Sequence, residues 1–348
     1  MKSLENLKQK SLQLLEGKLQ KQAQNGEVSG VHNKSHLLKV AQLSQLVGKI
    51  YHFSDQELFL SFFASLFHDI VRSPSQDKEL KDELLSAEYS IEVLDENFDV
   101  TEEEKEAVFY AIENHGNYPL WMKDDQKRDT DPSSLKEKIR FALYVADKLE
   151  QNGARIVARR SAFVAGERLK DTKGDLQEFG FIPNQDEALV VAIESVIRLT
   201  FINPKYIYPK KLKSLVTPLY KIHKEFTFGN FKACNLNIEK MVKVLLQTER
   251  ADGKNLLTVR NINIDDPDKL KYFIESEGGI SNEQIDSAGE DLIHSTIEAI
   301  DYFSNNYQKD LDQTMIEWKP VNNFSKKWHK KMVEYLDGTW FNLVEKSI

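Results

Sequence analysis

Five residues in the first half of the chain have side chains suited to holding a cation, and each sits inside or beside an apolar helical pattern. His36 opens SHLLKVAQL, His68 and Asp69 close SLFHDIV, His115 stands in ENHGN, and Asp147 in YVADKLEQ. Imidazoles and carboxylates are costly in apolar surroundings unless something pairs with them. If His36, His68, Asp69 and Asp147 converge, they form a cage for a divalent cation. Nitrogen and oxygen donors together suit Mn, Fe, Co, Ni or Zn, and Mg if waters complete the shell. Adjacent His and Asp point in different directions on a helix, so both reach one ion only if the helix ends beside them.

The surrounding pattern is helical. Leu4, Leu7, Leu12, Leu15 and Leu19 recur at helical intervals, and residues 33–50 carry an apolar face beginning beside His36. Ser54 followed by Glu57, and Thr101 followed by Glu104, are capping-box signatures for the next helices. The first of these helices runs through LFLSFFASLF to near residue 71, and a further helix covers about 81–97. Residues 116–134 read as a loop, 135–151 and 153–168 as helices, and 170–184 as a connector. The nearly all-apolar stretch 185–202 reads as a central helix. Residues 257–264 could form a short strand, and 290–348 is helical and aromatic. These readings predict an all-α chain with two parts: a metal-binding helical domain over 1–184 and a mostly helical region over 185–348 with room for a short strand or hairpin.

Composition narrows the function classes. The chain has 348 residues and a formal net charge of -8. That charge argues against a general nucleic-acid-coating surface, which needs a basic face. The single cysteine, Cys234, forbids an intrachain disulfide and fits a reducing, cytoplasmic setting. The N-terminal stretch has no uninterrupted apolar core and does not read as a secretory signal. The longest apolar run, 58–67, is too short to span a bilayer. No P-loop, G-x-S-x-G or G-x-G-x-x-G motif is present.

The segments SHLLKVAQL, FFASLFHDI and LYVADKLEQNGARIVARRSAF resemble the HD-domain superfamily of metal-dependent phosphohydrolases, whose pattern is H…HD…D on a helical bundle. The resemblance covers roughly residues 25–170. It implies that His36, His68, Asp69 and Asp147 ligate a divalent metal ion, with His36 preferred over His32. His115 is a further metal candidate or a substrate contact; the plain alternative is a helix C-terminal cap beside Gly116. The resemblance also implies a small phosphorylated substrate, in many members a nucleotide, no membrane partner, and Asp69 as the group orienting the attacking water. Lys148 is the favoured phosphate contact, with Arg72, Arg155, Arg159 and Arg160 as others, and Glu83 or Asp82 is a candidate base. A catalytically silent HD-type nucleotide- or metal-binding sensor or scaffold is the alternative, and an HD-type nuclease would need a basic groove. A homo-oligomer is left open.

Overall fold

The third helix shows how the chain builds its core. We describe the protein from a computed structural model over residues 3–24, 34–71, 82–116, 131–153, 155–171, 191–192, 195–199, 202–203, 210–247 and 264–346. Helices α1 (Leu4–Gln24), α2 (Lys34–Ile50) and α3 (Asp55–Phe67) are followed by α4 (Asp82–Asn97), α5 (Glu102–Glu113) and α6 (Leu135–Glu150). Every residue of α3 from Leu58 to Phe67 is buried. The all-round apolar composition of that stretch demands such a place, with neighbours on all sides. α3 packs against α1, α2, α5 and α6, and α2 and α5 each pack on α6. Phe63 stacks on Phe67 with ring centroids 4.6 Å apart, and Phe98 closes on Phe59 at 5.1 Å.

Both capping boxes form. The Ser54 hydroxyl accepts from the Glu57 amide, and Glu57 Oε2 accepts from the Ser54 amide at 2.8 Å. Thr101 and Glu104 repeat the arrangement. Each N-cap contributes about 0.5–2 kcal/mol. The other end of α3 departs from the expectation. The helix stops at Phe67, not near residue 71, and His68 occupies the C-cap. The His68 ring closes that end by donating from Nδ1 to the Ser65 carbonyl at 2.7 Å.

Contacts divide the chain into two compact units, residues 1–150 and 151–347. The division therefore falls after Glu150, earlier than the boundary expected at 184. The reason is packing: α7 (Arg155–Asp171) lies against the helix Glu290–Asn305, and its Ile156 and Val157 join a core with Phe226, Phe303, Trp318 and Trp328. In this second unit, residues 191–192 and 195–199 are helical and buried, as their apolar sequence predicts. Helix α8 (Lys213–Ala233) is followed by α9 (Ile238–Gln247), and the C-terminal helices include Asn323–Leu336 and Thr339–Glu345. Trp318 and Trp328 are fully buried core residues. The described residues contain helices and no strand. The proposed strand at 257–264 lies outside them except for its last residue. No described helix is long and apolar enough to cross a membrane.

Gly229 lets α8 approach Glu290–Asn305 closely. A Cβ there would lie 2.9 Å from the Leu292 carbonyl oxygen and 2.5 Å from Thr296 Oγ1. Gly229→Ala should therefore destabilise the protein by about 1–3 kcal/mol, read as a lowered urea midpoint for unfolding. An unchanged midpoint would refute the close approach.

Candidate metal centre

The centre is made where four helices end or pass. α2 presents His36 in its first turn, the end of α3 presents His68 and Asp69, the end of α5 presents His115, and α6 presents Asp147. All five are buried. Because α3 stops at Phe67, His68 and Asp69 lie in a turn and not on opposite sides of a helix, so both can face one point.

Proton placement is set by what each imidazole touches. His68 Nδ1 contacts the Ser65 carbonyl and His115 Nδ1 contacts the Ile112 carbonyl, both at 2.7 Å. A carbonyl can only accept, so Nδ1 carries the proton in both rings. His36 Nδ1 lies 2.8 Å from Glu150 Oε2, a fully buried carboxylate that plays the same part. In a neutral ring the lone pair is then on Nε2; the Nε2 atoms of His36 and His68 face both aspartates, and that of His115 faces Asp69.

The separations in this cluster are informative. Asp69 Oδ2 lies 3.4 Å from His68 Nε2 and 3.7 Å from His36 Nε2, and Asp69 Oδ1 lies 3.6 Å from His115 Nε2. Asp147 Oδ1 lies 3.8 Å from His36 Nε2 and 3.9 Å from His68 Nε2. These are too long for hydrogen bonds, which centre near ~2.9 Å. Atoms each about 2.1 Å from a shared cation sit roughly 3–3.5 Å apart, close to the observed spacing. His68 Nε2 is buried and has no hydrogen-bond partner. Its lone pair faces a carboxylate oxygen with no proton between them, and a cation would remove that repulsion. Two overlapping triads have their donor atoms within 4.8 Å of one another: His36, His68 and Asp147, and His68, Asp69 and His115. The donor set fits a divalent ion.

Electrostatics keeps His68 and Asp147 in ligand form and pulls His115 the other way. Burial lowers the His68 pKa from 6.5 to about 3, outweighing the neighbouring carboxylates. Burial alone would raise the Asp147 carboxyl, but the Lys148 ammonium, 2.8 Å from Asp147 Oδ2, helps to hold it well below the ordinary range. Burial alone would lower His115, and the adjacent Asp69 carboxylate overcomes it and raises the pKa.

The remaining predicted residues fall in different places. Lys148 is half-buried, with its ammonium on Asp147 and over the Tyr144 ring at 5.2 Å. Glu83 sits in the first turn of α4, half-buried, and its Oε1 would lie 3.4 Å from a Cβ placed on Gly116, beside His115. Asp82 opens the same helix. His115 closes the end of α5 through Nδ1 and faces Asp69 through Nε2. Arg155, Arg159 and Arg160 belong to the second unit and are buried there, Arg155 paired with Asp312 at 2.9 Å. His32 and Arg72 lie outside the described residues. Glu150 was missed from sequence; its position three residues after Asp147, on the same face of α6, was the available signal.

A helical bundle that gathers two or three imidazoles and two carboxylates from the ends of different helices defines a class of metal-binding domain. Residues 34–152 match the family model of the HD domain, and this segment belongs to that family, whose members are generally metal-dependent hydrolases. No curated protein and no solved structure matches the chain.

Two outcomes check the geometry. Glu150→Gln should weaken divalent-metal affinity by about tenfold or more, measured by competition with a chelating dye; unchanged affinity would show that the carboxylate does not orient His36. The second concerns acid. Unfolded His68 takes a proton near pH ~6.5, folded His68 only near 3. Its stabilising contribution is therefore complete above the unfolded value and is lost as pH falls from there toward 3. His223 in the second unit, also lowered to about 3 by burial, has the same sign. The urea midpoint of metal-free protein should drop on acidification from neutrality to pH ~5, and by less in His68→Asn. An equal drop in that variant would exclude His68 as a contributor.

Proposed function

We propose that the first unit is a phosphohydrolase that cleaves a small phosphoester, a nucleotide being the favoured class, with a divalent cation held by His36, His68, Asp69 and Asp147. The observation that carries this reading is the set of imidazole Nε2 atoms gathered about the Asp69 and Asp147 carboxyl groups in a buried centre. The bound cation would polarise a phosphoryl oxygen and make a water more acidic. The chain's own residues supply the rest. Asp69 directs one oxygen toward His36 and His68 and the other toward His115, so it can orient a water between them. His115 carries its proton on Nδ1, committed to Ile112, which leaves Nε2 for the cation or for a substrate oxygen. Lys148 holds Asp147 in place and brings a positive charge next to the centre, where it can meet a phosphoryl oxygen. Glu83, near the His115 end, is the candidate for accepting a proton from water.

Elemental analysis of protein purified without added metal should find a transition metal or magnesium. The loaded protein should hydrolyse p-nitrophenyl phosphate or bis-p-nitrophenyl phosphate. His68→Ala or Asp69→Ala should lower that activity by about a hundredfold or more, the several kcal/mol a catalytic cation supplies. Stoichiometric metal with no turnover of any phosphoester in a metabolite panel would leave the silent sensor as the correct reading.

A further inference from the structure

The second unit contains a cavity of about 250 Å³ that the hydrolase reading does not use. Its walls come from three helices and the turn that leads into α7. On α8, Pro218, Leu219 and Ile222 line it, and along Asn323–Leu336 the residues Lys327, Lys331 and Tyr335 form one stripe at four-residue spacing. Trp340 stands beside Tyr335 with ring centroids 5.4 Å apart. The turn that brings Asn152 and Arg155 to the cavity runs through Gly153, whose φ of +72 and approach to Leu219 leave no room for a side chain.

Arg155 is buried, sits over the Tyr335 ring at 5.5 Å and is fixed by Asp312 at 2.9 Å. Around the mouth, Lys221 has no ion-pair partner among the described residues, Lys327 meets Glu225 at 3.4 Å, and Lys331 meets Glu334 at 2.8 Å. The last two pairs involve exposed lysines and are worth little, about 0–1 kcal/mol, so an incoming anion can replace their carboxylates. Four lining residues are cationic and one, Glu225, is acidic. The chain as a whole has the opposite bias, with a net charge of -8.

An apolar cleft with two adjacent aromatic rings and a cationic rim is the shape that small-molecule sites take. We propose that this cavity binds a small aromatic anion, with one planar ring system against Tyr335, Trp340 and the α8 side chains, and a phosphate, sulfonate or carboxylate at Lys221, Lys327 and Lys331. The volume admits one ring system with its charged group. The site is independent of the metal centre and stands whether or not the first unit is a hydrolase.

Calorimetric titration of the full-length protein with naphthalene-2-sulfonate, a ligand no phosphoesterase can turn over, tests this. Saturable one-site binding is expected, weakening with added salt. Lys327→Glu combined with Lys331→Glu changes two exposed residues and should lower affinity by about tenfold or more, and Leu219→Trp, which fills the cavity, should abolish binding. The neutral analogue 2-(hydroxymethyl)naphthalene should bind about tenfold more weakly. Absence of binding at millimolar ligand, equal affinity for the neutral analogue, or unchanged affinity in the charge-reversed protein would each overturn the assignment.

Discussion

Three protons on Nδ1 organise the first unit. Two are held by carbonyls, which can only accept, those of Ser65 and Ile112, and the third faces the buried Glu150 carboxyl group. With protons fixed there, the Nε2 atoms of His68 and His36 present lone pairs to the carboxylates of Asp69 and Asp147, and that of His115 turns to Asp69. Lone pairs and anions gathered in a buried place repel one another. Burial raises the cost, because desolvation penalises an imidazolium and deprives His68 of the easy remedy of taking a proton. A multivalent cation relieves all of these contacts at once, so the first unit is organised around a site that favours one.

That arrangement depends on where helices stop. Had α3 continued past Phe67, His68 and Asp69 would have diverged by the angle between successive helical residues. Ending the helix at Phe67 turns both inward, and the same imidazole that faces the centre also closes the helix end. His115 repeats the device at the end of α5, bonding three residues back to Ile112. The apolar run of α3 serves the same purpose from a distance. Its ten consecutive buried residues anchor the helix among its neighbours, so the terminal turn has little freedom to move. Core packing and ligand placement are therefore one constraint, and a change deep in α3 would be felt at the centre.

Much of this was legible in the residues. The helices of the first unit follow from apolar spacing, and Ser54–Glu57 and Thr101–Glu104 mark two starts because a capping box is local chemistry that needs no tertiary context. The five candidate ligands stood out because imidazoles and carboxylates interrupt apolar patterns. Three things were not legible. The end of α3 was misplaced because Ile70 and Val71 continue the apolar pattern, while the hydrogen bond from His68 to Ser65 exists only once the ring has turned. The division between units was misplaced because α7 follows α6 after a short turn, and only long-range packing against Glu290–Asn305 shows where it belongs. Glu150 escaped because a lone glutamate late in a helix reads as solvated; its burial depends on where the His36 ring lies.

The two units also solve the problem of buried charge differently. In the first, buried acids and imidazoles are gathered about a point that favours a cation. In the second, arginines are buried on α7, and Arg155 pairs with Asp312 and lies over the face of Tyr335. A guanidinium remains charged in the interior because it is weakly hydrated and its planar fork matches carboxylates and rings. Burying it is costly unless such partners are fixed in advance. Tyr335 meets that need on one face and, by lining the cavity beside Trp340, offers aromatic surface to a ligand. The same side chain thus stabilises the fold and shapes the cavity, which ties the second unit's binding surface to its core.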